Sequence, residues 1–562
     1  MSVIHVNQIA NKMKSIFDGK IDMSDTSPKD PELETKFLTR ALAAYAVLCV
    51  AGANDVDAAG SVTDGGDDNG IDAIYYSLSN KRMTIVQSKW SKKGLGEPES
   101  GDVRKFKDGI KDLLNLQFDR FNNKTKKLQP QILAGLNAFD TKFNIILIHT
   151  GNKNLSTHSE RVIGDLISEL NDAGDGSSDE IVTFHQLNQA RVHSSLADGI
   201  EGDPINIDIG LSQWGKLDEP SQAFFGVVDG AQVFNWFSSH GNRLFSKNIR
   251  QILGATDVNE EIKLTIENTP DKFWYYNNGI TIIADSVKKS MVGGNGKEAG
   301  IFQAKNISIV NGAQTVGTIG NMQGIELGSV KVQLKLISLE NSDEGFGVSI
   351  TKANNRQNRI ENRDFVSLDE QQLRIRTELA IEGVDYNIVR SDTFKATDKS
   401  FDLIEATVSL ACASGQSNLA VQAKREIGKF YENTSKAPYK TIFNPNTSGV
   451  YVFNVVKCLR IIDRLIDGKI SELEKKNGRE YGVLIHGNRM IALIVFSKLN
   501  IGNDAQNYEF EMNESSIIPV FSDVINKLED VLNKKYPEKV LGTLFKNATI
   551  CKDIYSEVMT ME

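Results

Sequence analysis

The first 190 residues alternate between helical and extended patterns of apolar residues. Apolar side chains recur at helical spacing between residues 31 and 50, which predicts a helix. Two β-rich runs, 71–77 and 83–90, flank a short polar turn and predict a hairpin. The patterns that follow predict a helix over 102–121, a strand over 143–150, a helix over 159–170 and a strand over 179–187. This order is typical of a mixed α/β unit.

The pattern changes twice farther along the chain. Beyond Gly199–Pro204 it becomes richer in Gly, Asn and β-like runs, and from about residue 366 it is mostly helical. We therefore predict an α/β and α+β multidomain protein with three domains, over residues 1–200, 201–380 and 381–562. The middle domain is expected to be mixed α/β, and the third mostly helical.

Composition narrows the class of protein. Of the 562 residues, 40% are hydrophobic and 24% charged, as in soluble globular proteins. The longest uncharged apolar stretch, residues 41–53, is shorter than a membrane-spanning helix requires. The N-terminus has no apolar signal-peptide segment, and the four cysteines form no CxxC pair. We therefore expect a cytoplasmic protein with reduced thiols and no membrane contact.

The predicted hairpin carries the most informative side chains. Asp72 opens its first strand, and Gln87 and Lys89 lie two apart on the second, so both point to one face. Asp72 can then meet both across the hairpin. Carboxylate and amide oxygens suit Mg²⁺ or Mn²⁺, and a lysine can steady an attacking hydroxide. The hairpin therefore predicts a metal-dependent phosphodiesterase site, although a plain structural hairpin has the same pattern.

Two features beside the hairpin favour a phosphate substrate. The loop Asp64–Gly70 is acidic and glycine-rich, which allows a backbone to approach a ligand closely. Between Lys81 and Lys127 there are thirteen Lys/Arg and six Asp/Glu, a local charge of +7 in a chain of −9. Such a segment predicts contact with a nucleic-acid backbone, although a solvated helix face could give the same count. Within this segment, the candidate residues for contacting nucleic acid are Lys92, Lys93, Arg104 and Lys105.

The hairpin and its loop resemble the PD-(D/E)xK nuclease superfamily, and within it the Mrr-type branch. The resemblance lies in GxDDNGIDAIYY followed by IVQSKW. It implies a restriction-endonuclease-like α/β/α fold for residues 1–200. It also implies that Asp72 binds the metal, that Gln87 takes the variant metal-site position and that Lys89 is the catalytic lysine. Glu34, rather than Glu32, is the implied acid from the first helix. Gln87 cannot supply the negative charge of a glutamate.

The middle of the chain resembles the abortive-infection phage-resistance family, AIPR. Four separate blocks carry the resemblance: residues 242–254, 273–285, 307–316 and 353–365. Their order and spacing cover roughly residues 200–380. The resemblance implies bacterial defence against phage, often with a nuclease-like N-terminal region.

These blocks also contain candidate ligand groups. Arg356 and Arg359 belong to a polar cluster that could bind anions. Arg250 lies on one helical face with Arg243 and Lys247, a spacing that could follow phosphates. Arg250, Arg356 and Arg359 are therefore candidate phosphate-binding residues. Solvated helix surfaces are the alternative. Residues 277–279 predict a turn before a strand, and the loop 311–314 fits either a strand-to-helix turn or a loop that presents amides to a nucleotide or phosphate. In the turn reading, Thr315 would be a helix N-cap.

The sequence thus predicts a bacterial defence nuclease that uses Mg²⁺ or Mn²⁺ to hydrolyse phosphodiester bonds, with DNA favoured over RNA. The expected catalytic residues are Asp72, Gln87, Lys89 and Glu34. The expected metal ligands are the same residues without Lys89. A phage-derived trigger and assembly into a homo-oligomer are further expectations. The alternatives are an inactive sensor or scaffold that binds nucleic acid or a phage protein, and a ribonuclease.

Overall fold

The structure is a computed structural model that forms two compact units. One unit combines Met1–Gln189 with Ile360–Glu562, and the other is Ala190–Arg359. The residues described are 2–78, 80–176, 178–198, 205–245, 257–290, 296, 298–322, 324–343, 345–357, 363, 366–389 and 394–561. The predicted division into 1–200, 201–380 and 381–562 stays a prediction, since the observed units group the first and last parts of the chain together.

The first unit begins with a four-stranded sheet in the order β1-β2-β3-β4. Its strands are β1 (Ala73–Ser77), β2 (Arg82–Lys89), β3 (Lys142–His149) and β4 (Val182–Leu187). β1 and β2 form an antiparallel hairpin, whereas β2, β3 and β4 pair in parallel. The four predicted strands are thus confirmed. Parallel pairing requires crossover connections, which the helices between the strands provide.

Helices cover both faces of this sheet. The helices before and between its strands are α1 (Ser2–Phe17), α2 (Leu33–Ala46), α3 (Asp55–Gly60), α4 (Ser100–Leu114), α5 (Asn123–Lys127), α6 (Gln129–Asn137) and α7 (Thr157–Asn171). α2 lies against one face, where Ser88 Oγ donates a hydrogen bond to the Thr39 carbonyl at 2.8 Å. On the opposite face Ile74 and Ile85 share a hydrophobic core with residues of α4 and α7.

α2 confirms the helix predicted over 31–50. Its α-helical part is followed by a π-helical turn, Val47–Ala51, and ends at Gly52 in the left-handed conformation (φ 67°). Glycine adopts this conformation without steric strain, so it is suited to end a helix. The same helix carries Glu34 in its first turn and the buried Arg40 farther along.

The second unit is built on a seven-stranded sheet in the order β10-β7-β11-β6-β5-β9-β8. Its strands are β5 (Ile207–Leu217), β6 (Ala223–Asp229), β7 (Ile280–Ala284), β8 (Ser286–Lys289), β9 (Ala299–Lys305), β10 (Ser308–Asn311) and β11 (Lys331–Ser338). Its helices, beginning at the unit boundary, are α8 (Gln189–Asp198), α9 (Gly230–His240), α10 (Asp257–Asn268), α11 (Phe273–Tyr276), α12 (Ala313–Gly320) and α13 (Phe346–Gln357).

Two helices of the second unit start directly from strands of the sheet. Asp229 ends β6 and caps α9 by accepting a hydrogen bond from the Gln232 amide. Gly312 (φ 85°) follows β10 and occupies the cap position of α12. The predicted N-cap role of Thr315 is therefore wrong, because the helix starts at Ala313. Thr315 lies inside the first turn, and its hydroxyl accepts a hydrogen bond from Asn277 Nδ2 at 3.0 Å.

The remainder of the first unit is mostly helical, which confirms the predicted character of the C-terminal region. Its helices are α14 (Glu370–Ile381), α15 (Leu403–Ala413), α16 (Ser417–Arg425), α17 (Tyr439–Ile442), α18 (Gly449–Glu472), α19 (Gly478–His486), α20 (Asn488–Lys498), α21 (Ile501–Asp504), α22 (Glu514–Lys535), α23 (Leu541–Leu544) and α24 (Ala548–Thr560), and its short strands are β12 (Asp385–Asn387) and β13 (Ser400–Asp402). Arg425 Nη2 donates to the Asp179 carbonyl at 2.7 Å. Such contacts join these helices to the N-terminal sheet.

Among the helices that the structure describes, none combines the length and the hydropathy needed to cross a lipid bilayer. The strands and helices of the two units confirm the predicted fold class, a multidomain mixture of α/β and α+β units with a helical C-terminal region.

Candidate active site

The hairpin register brings Asp72 opposite Gln87. Ala73 pairs with Val86, so the next residue pair outward is Asp72 and Gln87. The Asp72 amide donates to the Val86 carbonyl at 2.8 Å, which extends the pairing beyond β1. Because strand side chains alternate between faces, Gln87 shares its face with Ile85, which packs towards α4. The backbone therefore places Asp72 and Gln87 on the α4 side of the sheet.

The acidic loop folds back over the start of β1. The amides of Thr63 and Asp64 both donate to the Asp72 carbonyl, at 2.8 and 3.2 Å. Gly70 lies against α4, where a Cβ atom would come within 2.9 Å of the Phe106 amide nitrogen, so the close approach requires glycine. This packing brings the loop and the helix together around Asp72.

Three carboxylates of this loop converge. One oxygen each from Asp64, Asp68 and Asp72 lies within 4.8 Å of the other two. Burial and the charges of Asp64 and Asp68 raise the pKa of Asp72 well above its usual value, although the Ser88 amide and Lys89 oppose the shift. The cause is physical: a buried carboxylate loses hydration, and like charges repel. The protonated form of Asp72 is therefore favoured, first by burial and then by the two neighbouring carboxylates.

The two neighbouring carboxylates already have cationic partners. Arg40 Nε lies 2.8 Å from Asp64 Oδ2, and Lys105 Nζ lies 2.8 Å from Asp68 Oδ1. Arg40 is itself fixed by Asp25, with Nη1 to Oδ1 at 2.7 Å and Nη2 to Oδ2 at 2.9 Å. Asp72 forms no ion pair with any residue that the structure describes, but its Oδ2 accepts a 2.6 Å hydrogen bond from the Ser88 amide.

Gln87 has an acceptor without a hydrogen-bond partner. Its Nε2 donates to the carbonyls of Gly70 and Asp102 at 3.2 and 3.1 Å, which fixes the orientation of the amide group. Its Oε1 is buried, on a residue only 1% exposed, and accepts no hydrogen bond within the described part of the chain. Buried acceptors are rarely left unpaired, so this oxygen calls for a cation or a donor.

Lys89 sits at the half-exposed edge of the cluster. Its Nζ lies 2.8 Å from Asp102 Oδ1 on α4. Burial alone would lower the pKa of Lys89, but the hydrogen bond to Asp102 and the charges of Asp72, Asp102 and Asp68 raise it. The ammonium group therefore stays charged at neutral pH and feels the field of the acidic cluster.

Glu34 lies apart from the three clustered carboxylates. Its exposed side chain pairs with Lys14 of α1, and this contact lowers the pKa of Glu34. Glu32, just before α2, pairs with Lys92 at 3.3 Å. The structure thus brings Asp72 and Gln87 together with Lys89 beside them, and the carboxylates next to Asp72 are those of Asp64 and Asp68 and not that of Glu34.

Several of the residues predicted to contact nucleic acid already contact other side chains of the protein. Lys105 holds Asp68, Lys92 holds Glu32, and Arg104 Nη2 lies 2.6 Å from His158 Nε2. Lys93 is exposed beside Lys92. Arg356 lies in α13, and Arg250 and Arg359 are outside the described residues. A phosphate that approached Lys92 or Lys105 would have to compete with a carboxylate.

Comparison with known proteins gives one match. A family model described as AIPR protein matches residues 245–541, more than half of the chain. Neither the curated proteins nor the solved structures that were compared contain a significant match. The match begins after the hairpin and its acidic loop, so the site geometry and the family likeness are independent observations.

Proposed function

Because the chain belongs to the AIPR family, which acts in abortive-infection defence against phage, we propose that it is a metal-dependent defence nuclease. The proposed reaction is hydrolysis of phosphodiester bonds, with DNA as the first substrate to test. The observation that carries the proposal is the cluster of Asp64, Asp68 and Asp72 beside the unpaired Gln87 Oε1. The family match covers a different part of the chain, so it supports defence and not catalysis.

The donor set fits a hard divalent cation. Three carboxylates and one amide oxygen are the ligand types that Mg²⁺ and Mn²⁺ prefer. A cation at Asp72 would offset the repulsion that raises its pKa, and Gln87 Oε1 would gain the partner that it lacks. Glu34 could join this set only after leaving Lys14. When bound, the ion would polarise the phosphate and lower the pKa of a water molecule.

Two basic residues of the chain have defined roles in this proposal. Lys89 stays protonated, so it acts as a positively charged donor towards the scissile phosphate and not as a general base. Asp102 holds Lys89 in that position through the 2.8 Å contact. Arg40 keeps Asp64 turned towards the cluster, because the buried guanidinium is fixed at the same time by Asp25.

Cleavage assays test this proposal. The purified full chain is incubated with plasmid DNA, single-stranded DNA or RNA, and with Mg²⁺, Mn²⁺ or EDTA. We expect cleavage that requires the metal and is lost in Asp72→Asn and Lys89→Gln. Asp108→Asn is the matched control, since Asp108 is an exposed carboxylate of α4 that pairs with the neighbouring Lys107. Equal cleavage by wild type and by both site variants would contradict the proposal.

A non-catalytic sensor or scaffold is the second candidate. Two observations favour it. Gln87 contributes no negative charge to a metal site, and Lys105 already forms an ion pair with Asp68, so a metal ion would have to displace it. Calorimetric titration with Mn²⁺ separates the two candidates. Binding that disappears in Asp72→Asn supports the enzyme, whereas the absence of binding at millimolar Mn²⁺ supports the scaffold. The RNA arm of the cleavage assay tests the ribonuclease alternative.

A further inference from the structure

The seven-stranded sheet of the second unit has one buried and one solvent-facing side. The buried side packs against α9 and α12 through alternate strand residues, among them Phe224, Val228, Phe302, Val332, Leu334 and Leu336. The residues between them on β6, β9 and β11 face solvent or are only partly covered. We call the solvent-facing side of β6, β5, β9, β8 and β11 the open face.

An exposed aromatic ring lies in the middle of the open face. Phe225 of β6 is 44% exposed although it is flanked by strands on both sides. It pairs with Gly215 of β5, where a Cβ atom would come within 2.2 Å of Phe225 Cζ. The ring therefore occupies the space that a side chain at position 215 would take. The tip of the ring packs over this glycine, and nearly half of the residue stays exposed to solvent.

Two lysines of the neighbouring strand β11 share the open face with this ring. Lys335 pairs directly with Phe225, and Lys331 lies farther along the same side of β11. Lys305 and Lys288 lie at the opposite end of the open face, on β9 and β8, where the exposed Asp208 of β5 is in the same cross-strand row as Lys288. Within the described residues, Lys288, Lys305 and Lys335 form no ion pair. The carboxylate of Asp229 on this face is engaged by Gln232 Nε2, besides capping α9.

Three further exposed aromatic residues lie in α11, which precedes β7 and approaches the start of β11, the end of that strand where Lys331 lies. Trp274, Tyr275 and Tyr276 of α11 are 41%, 75% and 66% exposed, whereas Phe273 before them is buried in the core. Gly279, just after them, lies next to Gln333 of β11, where a Cβ atom would come within 2.5 Å of the Gln333 carbonyl oxygen. Aromatic rings therefore occur both on the sheet and beyond its end, with lysines between them.

We propose that the open face binds single-stranded nucleic acid. Unpaired bases would stack on Phe225 and on the aromatic residues of α11, and Lys335 and Lys331 would contact the phosphates between them. Stacking on aromatic rings beside a positively charged track is the usual chemistry of such binding. The proposal does not depend on the metal site, because binding at the open face requires neither a cation nor cleavage.

Fluorescence anisotropy of the full chain in EDTA tests the proposal. The probes are labelled oligothymidylate and oligouridylate of about 20 nucleotides, longer than one typical binding site, and a duplex of the same length. We expect both single strands to bind more tightly than the duplex. Phe225→Ala should weaken binding at least about fivefold, the lower end of the loss for one stacked base. Phe225→Tyr should restore it.

The lysines give a second and separate readout. Lys335→Gln should reduce the slope of log affinity against log salt by about 0.7, the value for one phosphate contact on a single strand. Lys534→Ala, at an exposed position of α22, is the control and should leave affinity and slope unchanged. Preference for the duplex, no single-strand binding at micromolar protein, or a Phe225→Leu variant that binds as wild type would each overturn the proposal.

Discussion

Replacing Asp72 by Asn separates a metal site from a structural carboxylate cluster. The substitution removes a buried negative charge and keeps the side-chain shape and the acceptor for the Ser88 amide. Two unit charges 4.8 Å apart repel by about 3.5 kcal/mol at an effective dielectric constant of about 20. Arg40, Lys105 and Lys89 offset much of this repulsion, so we expect Asp72→Asn to stabilise the metal-free protein by about 1–2 kcal/mol.

The dependence on pH has a defined sign. The folded pKa of Asp72 lies above its unfolded value of about 3.8, so the unfolded state binds fewer protons between these two values. The stability of the wild type in EDTA should therefore fall as pH rises through this window, and the variant should lack this loss. The gain from Asp72→Asn thus grows as pH rises and is largest above the folded pKa of Asp72.

Adding metal should reverse the order of stability. A cation at 100 times its dissociation constant stabilises the folded wild type by about 2.7 kcal/mol. Differential scanning fluorimetry with EDTA, Mg²⁺ and Mn²⁺ measures this shift, and Asp108→Asn is the control that should behave as wild type. If Asp72→Asn gained as much from Mg²⁺ as wild type, the carboxylate would not hold the ion and the reasoning would fail.

Three further predictions follow from the same structure. Lys105→Met should tighten Mn²⁺ binding in calorimetry, because it frees Asp68 from its only ion pair within the described residues; weaker binding would mean that Lys105 supports the site. Gln87→Glu should raise Mn²⁺ affinity by about tenfold, since affinity follows the charge of the ligands; an unchanged affinity would remove position 87 from the ligand set. Burial lowers the pKa of Lys546 to about 8 from about 10.5. Below pH 8 the buried charge therefore reduces the free energy of unfolding by about 3 kcal/mol, and this reduction disappears as pH rises to 10.5. Lys546→Met should therefore be more stable than wild type to urea at pH 7, with the difference shrinking by pH 10; a constant difference would contradict the buried charge.

The hairpin shows what the sequence could predict. Alternation of side chains fixes which residues share a face, so the convergence of Asp72, Gln87 and Lys89 on one side could be expected from spacing alone. Periodicity also located the sheet and helices of the N-terminal region, because buried strands and amphipathic helices have distinct repeats.

The other half of the acidic cluster could not be derived in this way. Asp64 and Asp68 approach Asp72 through a loop in which Asp67 and Asn69 adopt left-handed backbone conformations, with φ of 55° and 54°. No repeat encodes such a loop, although its density of acids and glycines was a usable signal. The surroundings of Glu34 depend on Lys14 of a different helix, which is a tertiary contact.

The central claim is that Asp64, Asp68 and Asp72 hold a divalent cation beside Gln87. Anomalous diffraction from crystals soaked in Mn²⁺ tests it most directly. We expect a manganese peak within coordination distance of the Asp72 carboxylate and of Gln87 Oε1, and no such peak in Asp72→Asn. A wild-type crystal in millimolar Mn²⁺ with no peak among these carboxylates, and with Lys105 still bound to Asp68, would contradict it.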